Sequence, residues 1–286
     1  MNFYGQFDPP VDRFLYERYF EGRQLPGVAI ECGAFDGITE SSCKFFEESL
    51  GWTCINIEPY PLSYDKLVLN RPNAANVNAA LSNVAGTHEF TAVIHPVFGA
   101  DCNNGSLQHT RQHREYLDSI GCTYRNYSVP TITYAELAAS RQVASVDLFV
   151  LDVEGHEHQV LDGMRNTPPA LLPAVFCIEH GHLGVDALKP AVESLGYRFD
   201  TTSFVNSFYI RNDIAGVFAA LRDASPGLVW KALDLERDLA RSRAECAAAA
   251  AEVARLTNSR SWRLTAPLRR LKQTLDLVRS RPYKRR

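Results

Sequence analysis

Val28-Ala29-Ile30-Glu31-Cys32-Gly33-Ala34-Phe35-Asp36-Gly37 is an apolar run that ends in a small-residue turn, with Glu31 and Asp36 on either side of Gly33. A second apolar run, Cys54-Ile55-Asn56-Ile57, follows about one βα unit later and delivers Glu58 at its end. Two such runs open an α/β sheet that holds an adenosine-containing ligand. Glycine lets the backbone approach the ligand, and the later carboxylate accepts hydrogen bonds from ribose hydroxyls.

The same turn discriminates between cofactors. A dinucleotide site needs G-x-G-x-x-G, with the pyrophosphate seated on a helix N-terminus. Counted from Gly33, those positions fall on Gly33, Phe35 and Ile38, and two of the three are not glycine. Asp36 would place negative charge where a phosphate should sit. S-adenosylmethionine has no phosphate and presents a sulfonium and an ammonium, which acids accommodate. The turn therefore reads as a methyl donor's site. An NAD-dependent oxidoreductase or epimerase on the same kind of fold is the alternative, and the broken glycine pattern disfavours it. A third reading, a non-catalytic scaffold recruited to a membrane, conflicts with the retained acids and glycines.

Composition limits the rest. The 286 residues are 45% hydrophobic with a formal net charge of −3, which suits one α/β domain plus an appendage. No run of 18 apolar residues occurs, so no membrane-spanning helix is expected. The first ten residues lack the basic and apolar regions of a secretory signal, which implies a cytoplasmic protein. Seven cysteines without a C-x-x-C pair read as reduced, mostly buried thiols rather than a structural zinc site. Charge is uneven: residues 260–286 hold ten Lys or Arg against Asp276, so the remainder is acidic. That pattern argues for an interaction tail and against nucleic-acid binding.

Along the chain, residues 1–27 form a helical lead-in to a Rossmann-like domain over 28–225. Strands are expected at 28–34, 54–57, 76–81, 87–94, 146–153 and 174–178. A closing hairpin is expected at 197–200 and 206–210. Helices fall between them, at about 40–49, 62–69 and 185–194. This is a mostly parallel sheet with a closing antiparallel hairpin. Residues 95–129 have no clean period and read as a lid or binding loop containing some helix, the place for much of the acceptor site. Over 226–258, Leu228, Ala232, Leu235, Leu239, Ser242, Cys246, Ala249, Val253 and Leu256 keep heptad spacing. They predict a coiled-coil helix and a homo-oligomer. Residues 259–286 form a basic amphipathic tail containing Trp262, suited to an anionic membrane surface on the inner face or to an acidic assembly partner.

Several segments carry a family likeness: the 31–37 turn, Gly51-Trp52 leading to Ile57-Glu58-Pro59, Asn78-Ala79-Ala80-Leu81-Ser82, and Val129-Pro130-Thr131-Ile132-Thr133. The most specific is Val146-Asp147-Leu148-Phe149-Val150-Leu151-Asp152-Val153-Glu154-Gly155-His156-Glu157, closed by Val160-Leu161-Asp162-Gly163. Together they resemble the FkbM family of S-adenosylmethionine-dependent methyltransferases, over about residues 28–210. The 261–269 segment resembles tails on bacterial enzymes that build or modify surface polysaccharides. The resemblance implies methyl transfer to an oxygen of a glycan or of another small acceptor. On that reading Gly33, Ala34 and Gly37 shape the turn around the methionine half, and Glu31 and Asp36 meet its ammonium. Glu58, followed by Pro59, holds the ribose, while Asn78 to Ala80 flank the adenine. His180 is the expected base, Asp152 orients substrate or base, and Glu154 assists the acceptor. No metal is expected; the alternative is a divalent ion held by Asp152 with Glu179.

Overall fold

The computed structural model describes residues 1–221, 225–259, 262, 264, 265 and 267. Contacts divide the chain into two units, Met1–Trp230 and a second beginning at Lys231.

The first unit opens with α1 (Val11–Leu15), which continues into a π-helical turn, Tyr16–Phe20. Then come β1 (Val28–Cys32), α2 (Lys44–Leu50), β2 (Thr53–Ile57), α3 (Pro61–Asn70), β3 (Ala75–Val77), β4 (Ala80–Leu81) and β5 (Gly86–Ile94). After them lie α4 (Arg111–Ser119), β6 (Thr123–Ile132), α5 (Tyr134–Ser140), β7 (Leu148–Leu151), α6 (Glu157–Gly163) and β8 (Val175–Glu179). The chain continues through α7 (Val185–Ser194), β9 (Tyr197–Ser203), β10 (Asn206–Arg211), α8 (Asn212–Leu221) and α9 (Pro226–Asn258).

Seven strands form one sheet in the order β3-β2-β1-β7-β8-β10-β9. The first five are parallel, and β10 runs antiparallel to both β8 and β9. Strand order reverses direction between β1 and β7. In such sheets the crevice at the carboxyl ends beside that reversal is where ligands bind. β1 and β7 are almost wholly buried, as expected for strands covered on both faces. Ile30, Ile55, Phe149, Phe176, Leu188 and Tyr209 belong to the core they share with the flanking helices.

A second, three-stranded sheet, β4-β6-β5, takes in the strand expected at 87–94 and, with β6, the end of the aperiodic segment 95–129. β5 and β6 pair antiparallel along nine residues, from Gly86–Thr131 to Ile94–Thr123. Their connection carries α4, capped by Thr110, whose hydroxyl accepts from the His113 amide.

The N-terminal segment packs onto the large sheet. The Phe14 and Tyr19 rings lie 4.7 and 6.1 Å from Phe208 of β10. The start of α9 belongs to the same unit. Trp230 is fully buried, stacks on Phe20 at 5.2 Å and donates its indole N–H to the Tyr19 carbonyl. α9 is continuous for 33 residues. Its seam residues Leu228, Leu235, Leu239, Val253 and Leu256 are exposed, whereas Val229 and Trp230 are buried. No helix among the described residues is long and apolar enough to cross a membrane. The expected basic tail lies outside the described residues apart from Ser259, Trp262, Leu264, Thr265 and Pro267. All seven cysteines are free thiols, and Cys246 alone is exposed.

Candidate active site

A cavity opens at the carboxyl ends of β1, β2 and β7 and is roofed by the second sheet. It encloses about 1090 Å³, open solvent at its mouth included. Its floor carries Gly33, Ala34, Glu58 and Asp152; Phe90 and Ala92 of β5 contribute to its roof.

Gly33 occupies the point where β1 and β7 end together. The Asp152 amide donates to the Cys32 carbonyl at 3.0 Å. With φ at +90°, Gly33 would bring any Cβ to within 1.8 Å of the Asp152 carbonyl oxygen. Glycine is therefore demanded by the neighbouring strand rather than by clearance for a ligand. Gly37, also at positive φ, is required by Leu67 and Arg71, whose side chains lie 2.6 and 2.7 Å from where a Cβ would stand.

Glu58 is buried at the end of β2. Its two oxygens accept from the Phe35 amide at 2.9 Å and the Tyr60 amide at 2.8 Å. Burial pushes its carboxyl up to about 8. An acid raised this way is neutral in the fold but ionised in the unfolded chain. Its stabilising contribution is therefore complete below about pH 4.5 and is lost as pH rises to about 8. Burial raises Glu31, Asp152, Glu157 and Glu179 as well, Glu179 to about 7, so they add to the same slope. The melting temperature of the ligand-free protein should fall from about pH 5 to pH 8. Glu58→Gln should flatten that fall by up to about 1.4 kcal/mol per pH unit. Parallel slopes for the two proteins would contradict this account of Glu58.

The other expected donor-site residues divide. Glu31 lines the cavity but accepts from the Ser41 hydroxyl at 2.8 Å and the Ser42 amide at 2.6 Å, with Arg71 behind it at 3.7 Å. Pro59 and Ala80 also line it. Asp36, Gly37 and Asn78 do not. The Asp36 carboxylate closes its own turn, accepting from the Ile38 and Thr39 amides and the Thr39 hydroxyl. Asn78 braces the end of β2, donating to the Glu58 and Pro59 carbonyls at 2.9 and 3.3 Å.

Opposite the donor side, Asp152 and Glu154 follow β7 into the cavity. Asp152 is open to the cavity, and enclosure by protein together with the charges of Glu179 and Glu154 raises its carboxyl well above the usual range. Glu154 sits at φ +57°, an unusual backbone for this residue. The turn is held by Glu157, which accepts from the Val153 and Gly155 amides at 3.1 and 3.2 Å. The insert grips the same turn. Ser106 donates to the Val153 carbonyl at 2.9 Å, and Asn104 donates to Oε1 of Glu154 at 3.1 Å.

His180 is not among the cavity-lining residues, and its amide donates to the Val205 carbonyl. Burial lowers its imidazole. The histidines brought to the acceptor side are His182, with Nε2 3.0 Å from Oε2 of Glu154, and His113 of α4. His113 carried only a weak sequence signal, the His109–His113 spacing of four within a segment lacking apolar period. Serines 41 and 42, partners of Glu31, gave none.

The sequence profile of the Methyltransferase FkbM domain matches residues 31–199. Among solved structures, a methyltransferase FkbM from Methylobacillus flagellatus KT is similar at 14% identity and TM-score 0.42, over 68% of this chain and 47% of that one. The chain thus spans about half the length of that protein. A precorrin-6y C5,15-methyltransferase from Geobacter metallireducens GS-15 is similar at 13% identity and TM-score 0.37, over 72% of this chain and 88% of that one. No curated protein matches. Carrying the profile over more than half its length, on a mostly parallel Rossmann-like sheet, the chain belongs to the FkbM methyltransferase family.

Proposed function

We propose that the chain is an S-adenosylmethionine-dependent O-methyltransferase acting on a sugar hydroxyl of a bacterial surface glycan or its precursor. The observation that carries the donor assignment is the charge of the cavity wall. Glu31, Glu40, Glu58, Asp152 and Glu154 line it, and among the described residues no Lys or Arg does. A dinucleotide's pyrophosphate would find no cation there, whereas a cationic ligand favours the ionised form of Glu31, Glu40, Glu58 and Asp152, which the fold alone holds toward the neutral form.

When bound, S-adenosylmethionine supplies a methyl group on a positively charged sulfur that departs as a neutral thioether. Glu58 accepts from the ribose hydroxyls with the lone pairs that Phe35 and Tyr60 leave free. The small side chains of Ala34 and Ala80 leave room for flat and slender groups beside it. Asp152 and Glu154 hold the acceptor hydroxyl facing the methyl carbon, and correct placement alone supplies several kcal/mol. As the new carbon–oxygen bond forms, the hydroxyl proton leaves toward the carboxylates and imidazoles at the ends of β7 and β8. Asn103, Ser106 and Asn206 give that end a hydrogen-bonding wall suited to a hydroxyl-rich acceptor. Mass spectrometry of candidate glycans incubated with donor and protein tests the reading. A methyl's added mass on one hydroxyl is expected; donor binding without transfer to any glycan would end the glycan assignment.

The same reading places self-association on the exposed seam of α9 and assigns the basic tail to an anionic membrane surface or glycan-assembly partner at the inner face. A row of exposed leucines at heptad spacing is buried by pairing with a second copy. Light scattering of the full chain should give a dimer or higher oligomer, and Leu235→Asp with Leu239→Asp should give a monomer. A monomeric wild type would remove the seam's role.

A further inference from the structure

His156 follows the turn after β7 and stands at the N-cap position of α6. It lines the cavity that also holds Glu58, together with Tyr60, Ala80, Leu81 and Phe90. The side chain is buried, and its Nε2 lies 3.0 Å from Oγ of Ser82, the residue after β4. Its Nδ1 is buried too and has no hydrogen-bond partner. α6 and the end of β4 are packed tightly here: a Cβ on Gly163 would stand 2.5 Å from the Ser82 carbonyl oxygen. The contact between His156 and Ser82 is therefore held by the packing of two elements.

A run of hydrogen bonds fixes which ring nitrogen carries the proton. An ionised carboxylate only accepts. Asp162, paired with Arg165 through Oδ1 at 2.7 Å, takes an amide N–H of Asn83 on Oδ2 at 3.4 Å. Asn83 thereby turns its Oδ1 toward Ser82, whose hydroxyl donates to it at 3.3 Å. A hydroxyl has a single proton, so the Ser82 oxygen is left to accept from His156. Nε2 then holds the ring proton, and Nδ1 keeps a bare lone pair on the side of the ring away from Ser82. Burial holds this imidazole down at about 4, so it stays neutral and is a poor base.

We infer that His156 reads the adenine of the methyl donor, its Nδ1 accepting a hydrogen bond from the 6-amino group. The inference rests on the S-adenosylmethionine reading proposed above. A buried acceptor without a partner is costly, and a ligand that supplies an N–H removes the cost. S-adenosylmethionine brings three kinds of donor. The ribose hydroxyls go to Glu58, and the ammonium belongs with ionised carboxylates. The neutral 6-amino group is left for a neutral acceptor. The wall around His156 suits a purine ring. The Tyr60 and Phe90 rings lie 6.1 Å apart at 22°, and Ala80 and Leu81 add apolar surface. Ser82 is a positioning residue in this account, since it acts through the proton it keeps on Nε2.

The test uses the full chain in calorimetry with S-adenosylhomocysteine and with its purine analogue, in which hydrogen replaces the 6-amino group. The wild type should bind the purine analogue roughly tenfold more weakly. His156→Ala should bind the two compounds about equally, and His156→Gln, which keeps an acceptor oxygen, should retain part of the preference. Ser82→Ala should narrow the preference, because the ring is then free to carry its proton on Nδ1. A merely structural serine would lower both affinities together. In the wild type labelled with nitrogen-15 at histidine, His156 should show a protonated Nε2 and a bare Nδ1, and the Nδ1 signal should move with S-adenosylhomocysteine far more than with the purine analogue. That measurement decides the matter even if His156→Ala does not fold. Equal wild-type affinities overturn the assignment, as does the full preference surviving in His156→Ala, or a proton found on Nδ1. Binding of S-adenosylhomocysteine without the preference sinks the role of His156 alone. Binding of neither compound sinks the donor site, and the role of His156 with it.

Discussion

Glu58→Ala is expected to weaken S-adenosylmethionine binding by roughly 10²–10⁴-fold in calorimetry, and to abolish methyl transfer at ordinary donor concentrations. The cationic donor favours the ionised form of Glu58, which then offers the ribose two charge-assisted hydrogen bonds, each worth about 1.5–3 kcal/mol, and about 1.4 kcal/mol corresponds to tenfold in affinity. The other floor residues offer less. Ala34, Pro59 and Ala80 present no side-chain polar group, and the Glu31 carboxylate is already engaged by Ser41 and Ser42. Part of the loss comes from the protein itself, because the Phe35 and Tyr60 amides lose their acceptor. Glu58→Gln separates the contributions. Its carbonyl oxygen replaces one of the two acceptors, so its affinity should fall between those of the wild type and Glu58→Ala. Unchanged affinity in Glu58→Ala would move the ribose away from β2.

Gly33→Ala should be the most damaging single-methyl substitution in the sheet, at roughly 4 kcal/mol of stability and about 8–16 °C in melting temperature. The added Cβ would meet a backbone carbonyl, that of Asp152, at 1.8 Å, and this residue is tied to β1 by its own amide just past the end of β7. Relief requires parting β1 from β7 at the hydrogen bond from Asp152 to Cys32. Gly51→Ala is the matched control. Gly51 also has positive φ, at 67°, but nothing lies within 4 Å of its would-be Cβ. Only the left-handed backbone is penalised there, at about 1–2 kcal/mol. Similar losses for the two variants would mean that backbone conformation, not the clash with Asp152, explains Gly33.

Much of the large sheet is legible in the sequence because its parallel strands are buried on both faces. Unbroken apolar runs such as Leu148-Phe149-Val150-Leu151 announce themselves, and a carboxylate at the end of such a run, as with Glu58, is placed by the strand alone. β6 is not legible. Thr123–Ile132 is largely exposed and polar, and its partner β5 lies about 30 residues upstream, so neither alternation nor proximity marks the pair. The start of α2 was displaced for a local reason. The sequence predicts a start near Glu40, but Glu40 is at φ +57°, and Ser41 and Ser42 serve Glu31 before the helix begins at Lys44.

The acceptor side is less legible for the same reason of chain path. The buried run of β7 delivers Asp152 and Glu154 to the cavity in the turn just past Leu151, but β8 ends at Glu179 and a further turn intervenes before His182. Strand parity therefore cannot choose between His180 and His182, and His182 is the one beside Glu154. His113 reaches the site from an insert whose sequence has no period to read. In α9 two apolar stripes overlap at the N-terminal end. The heptad seam runs through Leu228 and Leu235, while Val229 and Trp230 are the residues that pack into the first unit.

The account stands most directly on a crystal structure of the chain with S-adenosylhomocysteine. The prediction is an adenosyl group in the cavity at the ends of β1 and β2, with both ribose hydroxyls within hydrogen-bonding distance of Glu58 and the sulfur directed toward Asp152 and Glu154. An adenosyl group seated elsewhere, or a ribose that does not touch Glu58, would contradict it.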